Sequence, residues 1–396
     1  MKNIALALSL AAAITISACQ GLSSNGSAPK TKTPQQSLEN FSFSEEAKVD
    51  NFYLGEIVMQ GESSGMEYIM YSQFRLFEIF WHEVMQDKTL PLDEKTDLWM
   101  KTIYEKVGRD FFEKFAIIEL GTGEEFDKAY REIIKRDLEP FLDKEHFENV
   151  KALNEMIEQN IEVEVVKSID YFGRFSEDVK IIIFNSGVGG ATARNIQNDR
   201  NKSAINLVVN NAYKFFTDYL GEAPNQQNVK KLLEDTIPHE TGHLYHFTNQ
   251  PDTAQTHGEL FKESKNFALL YAEGIGNYFE AKINNKDDND YSALMGIDYG
   301  NVTKEDIRIL AAEFLKFYDK KAKDDDFETW GKWQDSNEPI NGKVYPSGIG
   351  YFLGYWVVKD AIERRGVDLK EYLSHGDNDD YVKQQVFESL KYLSEQ

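Results

Sequence analysis

Cysteine is almost absent from this chain, in which Cys19 is the single cysteine among 396 residues. One cysteine excludes an internal disulfide bond. Basic residues are also scarce, since 44 Lys and Arg stand against 67 Asp and Glu and give a formal net charge of −23. That balance argues against nucleic acid as a partner. Apolar residues are plentiful at 41%, which is enough for one large or two medium domains with hydrophobic cores.

Residues 1–18 have the pattern of an export signal. Lys2 supplies a positive charge, and residues 4–16 form an apolar run that is shorter than the roughly 20 residues needed to span a bilayer. The following Ile-Ser-Ala-Cys, which ends at Cys19, resembles a bacterial lipobox. The resemblance implies cleavage before Cys19 and attachment of lipid to its sulfur. The alternative is an ordinary signal peptide followed by a chance cysteine.

A lipid at Cys19 would anchor the protein to a membrane of the bacterial cell envelope. In the sorting pattern of bacteria with two membranes, Asp after the lipidated cysteine retains a lipoprotein in the inner membrane, so Gln20 favours the outer membrane. Residues 19–44 are rich in Ser, Gly, Pro and Thr, a composition that cannot bury a core. We expect a flexible tether, about 20 residues of which reach roughly 25 Å.

Residues 45–170 are predicted to form an all-helical domain, because apolar residues recur there at spacings of three and four. We interpret each stripe as the core-facing side of a helix, and none carries chemistry by itself. The stripes are Met66, Ile69, Met70, Phe74, Phe77, Phe80, Trp81 and Val84; Leu98, Trp99, Ile103, Val107, Phe111 and Phe115; and Phe126, Tyr130, Ile133, Ile134 and Leu138.

Residues 171–396 contain a His-Glu-x-x-His motif at His239, Glu240 and His243. On a helix, side chains four residues apart leave the same face, so both imidazoles can bind one zinc ion. Glu240 follows the first ligand and can act as general base towards water at the metal. Residues 228–247 are predicted to form this helix, with a kink or local unwinding before His239, because Pro238 disrupts helical hydrogen bonding. The alternative is a solvated helix face that carries two histidines by chance.

The third ligand is predicted to be Glu273, an acidic residue within the apolar segment 269–279. A carboxylate in such surroundings is costly unless it is paired or bound to metal. The rival ligand is Glu280, which we expect at a more hydrated helix end. His246 can support the ligands or simply belong to the core, and Asn277 can hydrogen-bond a ligand.

The sequence also predicts two strands, at residues 179–184 and 204–209, before the motif helix. Together these elements predict an α+β fold that is predominantly helical. In this interpretation the catalytic domain has a small sheet and an active-site helix, and the helical region precedes it.

The motif with Glu273-Gly274 resembles the gluzincins, metallopeptidases in which two His and one Glu bind zinc. A second segment, Gly350-Tyr351-Phe352-Leu353-Gly354-Tyr355, is similar to the Gly-Tyr-x-x-Gly-Tyr segment of bacterial domains predicted to be zinc-dependent proteases. The likeness covers about residues 180–370 and implies a zincin-like catalytic domain. Two residues depart from the pattern. Pro238 stands directly before the first ligand, and Gly276 stands where Ala is expected.

The resemblance implies a lipid-anchored zinc metallopeptidase that hydrolyses a peptide or protein substrate. Two alternatives are a non-catalytic surface or assembly lipoprotein with structural zinc, and a zinc hydrolase of a non-peptide amide. Gluzincins often stabilise the oxyanion with a Tyr or His after the third ligand. Tyr351 is our predicted donor, with Tyr345, Tyr355 and His375 as the other candidates.

Overall fold

The computed structural model describes the greater part of the chain after residue 47. The described residues are 48–49, 52–53, 55–107, 123–173, 175, 181–188, 194–195, 203–250, 269–286, 293–294, 297–316, 318, 333, 339–376 and 379–396. Cys19, the export signal and the tether at 19–44 lie outside them. Structural statements below concern the described residues.

Most of the described elements are helices, several of which continue into a π-helical turn. The α-helices of six or more residues are, in chain order, α1 (Phe74–Phe80), α2 (Leu92–Trp99), α3 (Glu124–Leu138), α4 (Lys144–Phe172), α5 (Val209–Lys214), α6 (Gln226–Asn249), α7 (Gly274–Ile283), α8 (Lys304–Leu315), α9 (Ile349–Lys359), α10 (Leu369–Ser374) and α11 (Asp380–Glu395). The π-helical turn Leu269–Glu273 directly precedes α7. The fold is therefore α+β and predominantly helical, as predicted.

The strands are short except in one mixed sheet. They are β1 (Lys48–Val49), β2 (Phe52–Tyr53), β3 (Glu56–Ser63), β4 (Met66–Ser72), β5 (Ile181–Ser186), β6 (Arg194–Asn195), β7 (Ser203–Val208), β8 (Ala293–Leu294) and β9 (Ile297–Asp298). The largest described sheet has the order β3-β4-β5-β7-β6. Strands β4, β5 and β7 are parallel, whereas β3 and β6 are antiparallel to their neighbours. The two strands predicted at 179–184 and 204–209 correspond to β5 and β7.

The prediction of an all-helical region from residue 45 was wrong at its start, because residues 56–72 form the hairpin β3–β4. Ser64 and Gly65 both have positive φ, 49° and 75°, as a two-residue hairpin turn with the right twist requires. In β4, Met66, Tyr68 and Met70 are buried and Glu67 is exposed. That alternation has the period of two typical of a strand.

Two hydrophobic cores lie on either side of α6. The first contains the sheet, the helices up to α5 and four residues of α6, which are Val229, Leu233, Ile237 and Leu244. The second contains α7 to α11, and Tyr245 of α6 packs against it. The first core includes residues on both sides of residue 170, the predicted domain boundary. Among the described residues no helix is both long and apolar enough to cross a membrane.

Candidate metal centre

Helix α6 carries the motif and begins at a complete capping box. The Asn225 side chain accepts hydrogen bonds from the backbone N–H groups of Gln227 and Asn228, and the Asn228 side-chain oxygen accepts one from the Asn225 N–H. These bonds satisfy backbone donors that the first turn leaves without helical partners. The helix therefore begins at a fixed residue, three turns before the motif.

The local unwinding expected at Pro238 does not occur, since α6 is continuous from Gln226 to Asn249. Proline has no N–H for the carbonyl of Glu234, four residues earlier. The side-chain amide of Asn284 donates to that carbonyl at 2.7 Å. Because Asn284 follows the end of α7, this bond satisfies the carbonyl and ties the two helices together.

His239 and His243 lie one helical turn apart on the buried face of α6. Their side chains are only 2% and 7% exposed. The two Nε2 atoms are 3.0 Å apart, so both rings present the same nitrogen to one point. The predicted i, i+4 arrangement therefore brings the two imidazoles together.

Glu273 completes the group from the π-helical turn that precedes α7. Its Oε2 is 3.2 Å from His239 Nε2 and 3.4 Å from His243 Nε2. Tetrahedral zinc bonds of about 2.0–2.1 Å separate neighbouring ligand atoms by about 3.3–3.4 Å. The three atoms form a triangle of nearly this size, so one metal ion can contact all three. The side chains that the sequence singled out as ligands are thus adjacent in the fold.

The charges of His239 and Glu273 shift each other's pKa towards the ionised form. Burial acts to lower the pKa of His239, but the hydrogen bond and negative charge of Glu273 outweigh it and raise the pKa to about 9. Burial acts to raise the pKa of Glu273, yet hydrogen bonds from His239 and His243 hold it well below its ordinary value. Glu273 is therefore ionised at neutral pH, as a metal ligand must be.

The rival ligand Glu280 lies elsewhere. Its side chain is fully buried, and its Oε1 accepts a hydrogen bond from Lys286 Nζ at 2.6 Å. The expectation of a more hydrated position was wrong, because the residues after α7 fold back and bring Lys286 over it. Among the described residues, the group that can hold a metal contains Glu273 and not Glu280.

Glu240 follows the first ligand on α6 and is only partly buried. The next position along a helix is rotated by about 100°, so Glu240 lies beside the face that carries the two histidines. Its charge nevertheless acts on His239, whose pKa it helps to raise. A carboxylate that is near the ligands and open to solvent can exchange a proton with water at the site.

Gly276 is a functional position that the sequence analysis missed. A Cβ at residue 276 would lie 2.7 Å from His239 Cε1 and 2.9 Å from both ring nitrogens. The backbone of α7 therefore supports the imidazole directly, and an Ala there would displace it. The sequence shows that Gly stands at 276 where Ala is expected. The reason for the glycine is visible once the fold places His239 against it.

Glycines also place the turn that carries Glu273. A Cβ at Gly274 would lie 2.5 Å from the carbonyl oxygen of Gly354, and a Cβ at Gly354 would lie 2.4 Å from that of Leu270. Helix α9 thus packs backbone to backbone against the end of the π-helical turn. The second glycine of the Gly-Tyr-x-x-Gly-Tyr segment is needed for this close approach.

The predicted oxyanion donor, Tyr351, is buried in the second core, and its backbone carbonyl accepts a hydrogen bond from Asn277. Asn277 thus binds α9 through its amide nitrogen. The Tyr345 hydroxyl donates to Asp306 at the start of α8. His375 pairs with Asp379 near the molecular surface. Tyr355 is a core residue, as expected.

His246 is fully buried and belongs to the packing between α6 and the π-helical turn. Its ring meets the ring of Tyr271 edge to face, with 5.2 Å between centroids. Its Nε2 hydrogen-bonds Gln250 at 2.9 Å. Tyr271 lies two residues before Glu273, so His246 supports the turn that presents the third ligand.

Comparisons with protein-family models, with curated proteins and with solved structures found no match for this chain.

Proposed function

We propose that this protein is a zinc-dependent peptidase. The observation that carries the proposal is the triangle formed by His239 Nε2, His243 Nε2 and Glu273 Oε2, with sides of 3.0–3.4 Å. Two imidazoles, which bind metal in their neutral form, and one carboxylate are a donor set that zinc favours. Three protein ligands leave a fourth position for water or substrate, which is typical of catalytic sites and not of structural ones.

The surroundings of the triangle support the same proposal. The histidines lie on α6 and Glu273 lies on the π-helical turn before α7, whose backbone contacts the His239 ring at Gly276. These contacts place the three side chains before any ion binds. Glu240 is adjacent to the first ligand and only partly buried. A purely structural site has no use for that carboxylate, whereas hydrolysis needs a general base. We therefore extend the proposal to a zincin-like catalytic domain of the gluzincin type.

Zinc bound by these three residues would supply a Lewis acid that polarises the substrate carbonyl and acidifies water. Glu240 takes a proton from the attacking water as the water oxygen bonds to the carbonyl carbon. Glu240 then delivers that proton to the amide nitrogen as the carbon–nitrogen bond breaks. The products are a carboxylic acid and an amine, and Glu240 returns to its ionised form. We retain Tyr351 as the proposed donor to the developing oxyanion.

The proposed setting is a bacterial cell envelope. A lipid on Cys19 would hold the protein at a membrane, with Gln20 favouring the outer one, and residues 19–44 would serve as the tether. The substrate would be a peptide or protein that reaches that compartment. The ground for this part of the proposal is the lipobox resemblance.

The test of the function uses the purified full-length protein in detergent. We expect metal analysis to find one zinc ion per chain and cleavage of an unstructured protein such as casein. The Glu240→Gln variant should keep the zinc and lose at least about 100-fold in rate, the usual contribution of a general base. Equal rates for the variant and the wild type would contradict the mechanism, and a wild type without bound zinc would contradict the proposal itself.

A further inference from the structure

Three charged side chains are buried together between α6 and the end of α7. Lys286 Nζ is 2.6 Å from Glu280 Oε1 and 3.1 Å from Asp235 Oδ1. The side chains of Asp235, Glu280 and Lys286 are 2%, 0% and 11% exposed. Burying charged groups is costly even when they are paired. A cluster of this kind therefore needs a reason beyond stability.

The cluster lies directly behind His239. Asp235 precedes His239 by one turn of α6. On α7, Gly276 contacts the His239 ring, and Glu280 is four residues further on, about 6 Å along the helix axis. Glu280 and His239 are close enough for their charges to interact. Burial raises the pKa of Glu280, and the positive charge of Lys286 opposes that rise and favours the ionised carboxylate.

The cluster contains two carboxylates and one ammonium, so the buried part carries one net negative charge. Lys231, the other cation near Asp235, is 34% exposed, and solvent therefore weakens its effect. In the interior, where solvent does not screen charges, a carboxylate at this distance favours a cation appreciably.

We propose that Glu280 is a positioning residue for the metal centre, whose buried negative charge behind His239 strengthens the binding of a divalent cation. The inference rests on the proposed function only in so far as His239, His243 and Glu273 bind a metal. Lys286 offsets the cost of burying Glu280 and Asp235 side by side. Asp235 in turn offsets the charge of Lys286, so the negative charge of Glu280 is retained at the site.

The test compares zinc and cobalt dissociation constants of Glu280→Gln and Lys286→Met with those of the full-length wild type. The constants are measured by competition with a chelator, below the unfolding temperature of each variant. Gln has the shape of Glu and keeps an oxygen for Lys286. We expect Glu280→Gln to weaken binding of both metals at least about fivefold, with an unchanged visible spectrum of bound cobalt. Lys286→Met removes the positive charge and should bind both metals no more weakly than wild type.

The two variants distinguish a charge effect from a structural lock, by which we mean that the ion pairs only hold α6 against α7. With a structural lock, both variants would bind metal more weakly, because both disturb that contact. Asp306→Asn is the matched control, since Asp306 is a buried carboxylate paired with Lys343 at the start of α8. Its metal affinity should equal that of wild type.

Equal weakening by Glu280→Gln and Lys286→Met would overturn the inference. Unchanged affinity in Glu280→Gln would overturn it too, while leaving the proposed function intact. A wild type that binds no divalent ion would overturn both. If only Lys286→Met folds, its affinity still decides, because a charge effect predicts no weakening of metal binding and a structural lock predicts weakening.

Discussion

Individual residues around His239 set the geometry of the candidate metal centre more tightly than the motif alone implies. The imidazole rests on the backbone of Gly276, which leaves no space for a methyl group. Its Nε2 faces His243 and Glu273. The ring is therefore confined from two sides, by a helix backbone and by the other two ligands.

Gly276→Ala is predicted to weaken zinc binding at least about tenfold, because the new Cβ would force the His239 ring away from the other ligands. Helix propensity changes in the opposite direction, since Ala is favoured over Gly by about 0.5–1 kcal/mol. Loss of affinity should therefore not be accompanied by general instability. The measurements are a zinc competition titration and thermal unfolding of the metal-free protein.

Gly242→Ala is the matched control on the facing helix. The three atoms nearest to its Cβ would all belong to Phe279, at 3.0–3.4 Å, and none to a ligand ring. This variant should change stability while the zinc affinity stays within about threefold of wild type. If both variants bind zinc as the wild type does, the support of His239 by Gly276 is not a determinant of the site.

At the scale of elements, the start of α8 shows how one buried carboxylate organises a helix and its surroundings. Asp306 Oδ2 accepts hydrogen bonds from the backbone N–H and hydroxyl of Thr303, at 2.8 and 2.7 Å. Its Oδ1 accepts from Lys343 and Tyr345. Burial acts to raise the pKa of Asp306, but these donors outweigh it and lower the pKa to about 2.

Asp306→Asn should reduce the free energy of unfolding by about 1–2 kcal/mol at neutral pH. The folded pKa is below the unfolded value of 3.8, so the stabilisation is complete above pH 4 and is lost as the pH falls towards 2. The difference in stability between wild type and variant should shrink over that range. Urea unfolding at several pH values measures it.

Glu305→Gln is the control for this prediction. Glu305 is the neighbouring residue, is exposed and pairs only with Arg308 in the described contacts. Exposed ion pairs contribute little to stability, so this variant should follow the wild type at every pH. A difference between wild type and Asp306→Asn that does not change from pH 7 to pH 2 would show that the ionisation of Asp306 does not stabilise α8.

At the scale of the whole molecule, α6 joins the two hydrophobic cores. Its residues Val229 and Ile237 belong to the first core, while Tyr245 packs against the second. Both imidazole ligands come from α6, and the carboxylate ligand comes from the turn that begins the second core. The candidate metal centre therefore lies where the two cores meet, and an ion bound there would link them.

Cys19→Ala is predicted to release the protein from the membrane fraction, because lipid on this cysteine is the proposed anchor. Stable attachment to a bilayer needs about two lipid chains or signals, and the variant loses the lipid at this position. The measurement is fractionation of cells that express the full-length variant, with wild type in parallel. Cys19→Ser should behave in the same way. A variant that still sediments with membranes after a high-salt wash would contradict lipid anchoring through Cys19.

The sequence by itself determined which three side chains meet at the candidate metal centre and the predominantly helical character of the fold. A spacing of four residues places His239 and His243 on one helix face in any tertiary context. Glu273 could be singled out because a carboxylate in an apolar segment must find a partner. These inferences succeeded because they depend on local geometry and on the cost of burial.

Only the tertiary structure decided the hairpin β3–β4, the support by Gly276 and the environment of Glu280. Met66, Ile69 and Met70 fit a helical stripe, yet the same segment also alternates as a strand, and pairing of β4 with β5 selects the strand. Glu280 was the rival ligand, expected at a more hydrated helix end. Its environment is set by Lys286, which pairs with both Glu280 and Asp235. Asp235 lies 45 residues before Glu280 in the chain, so this shared pairing depends on the packing of α6 against α7.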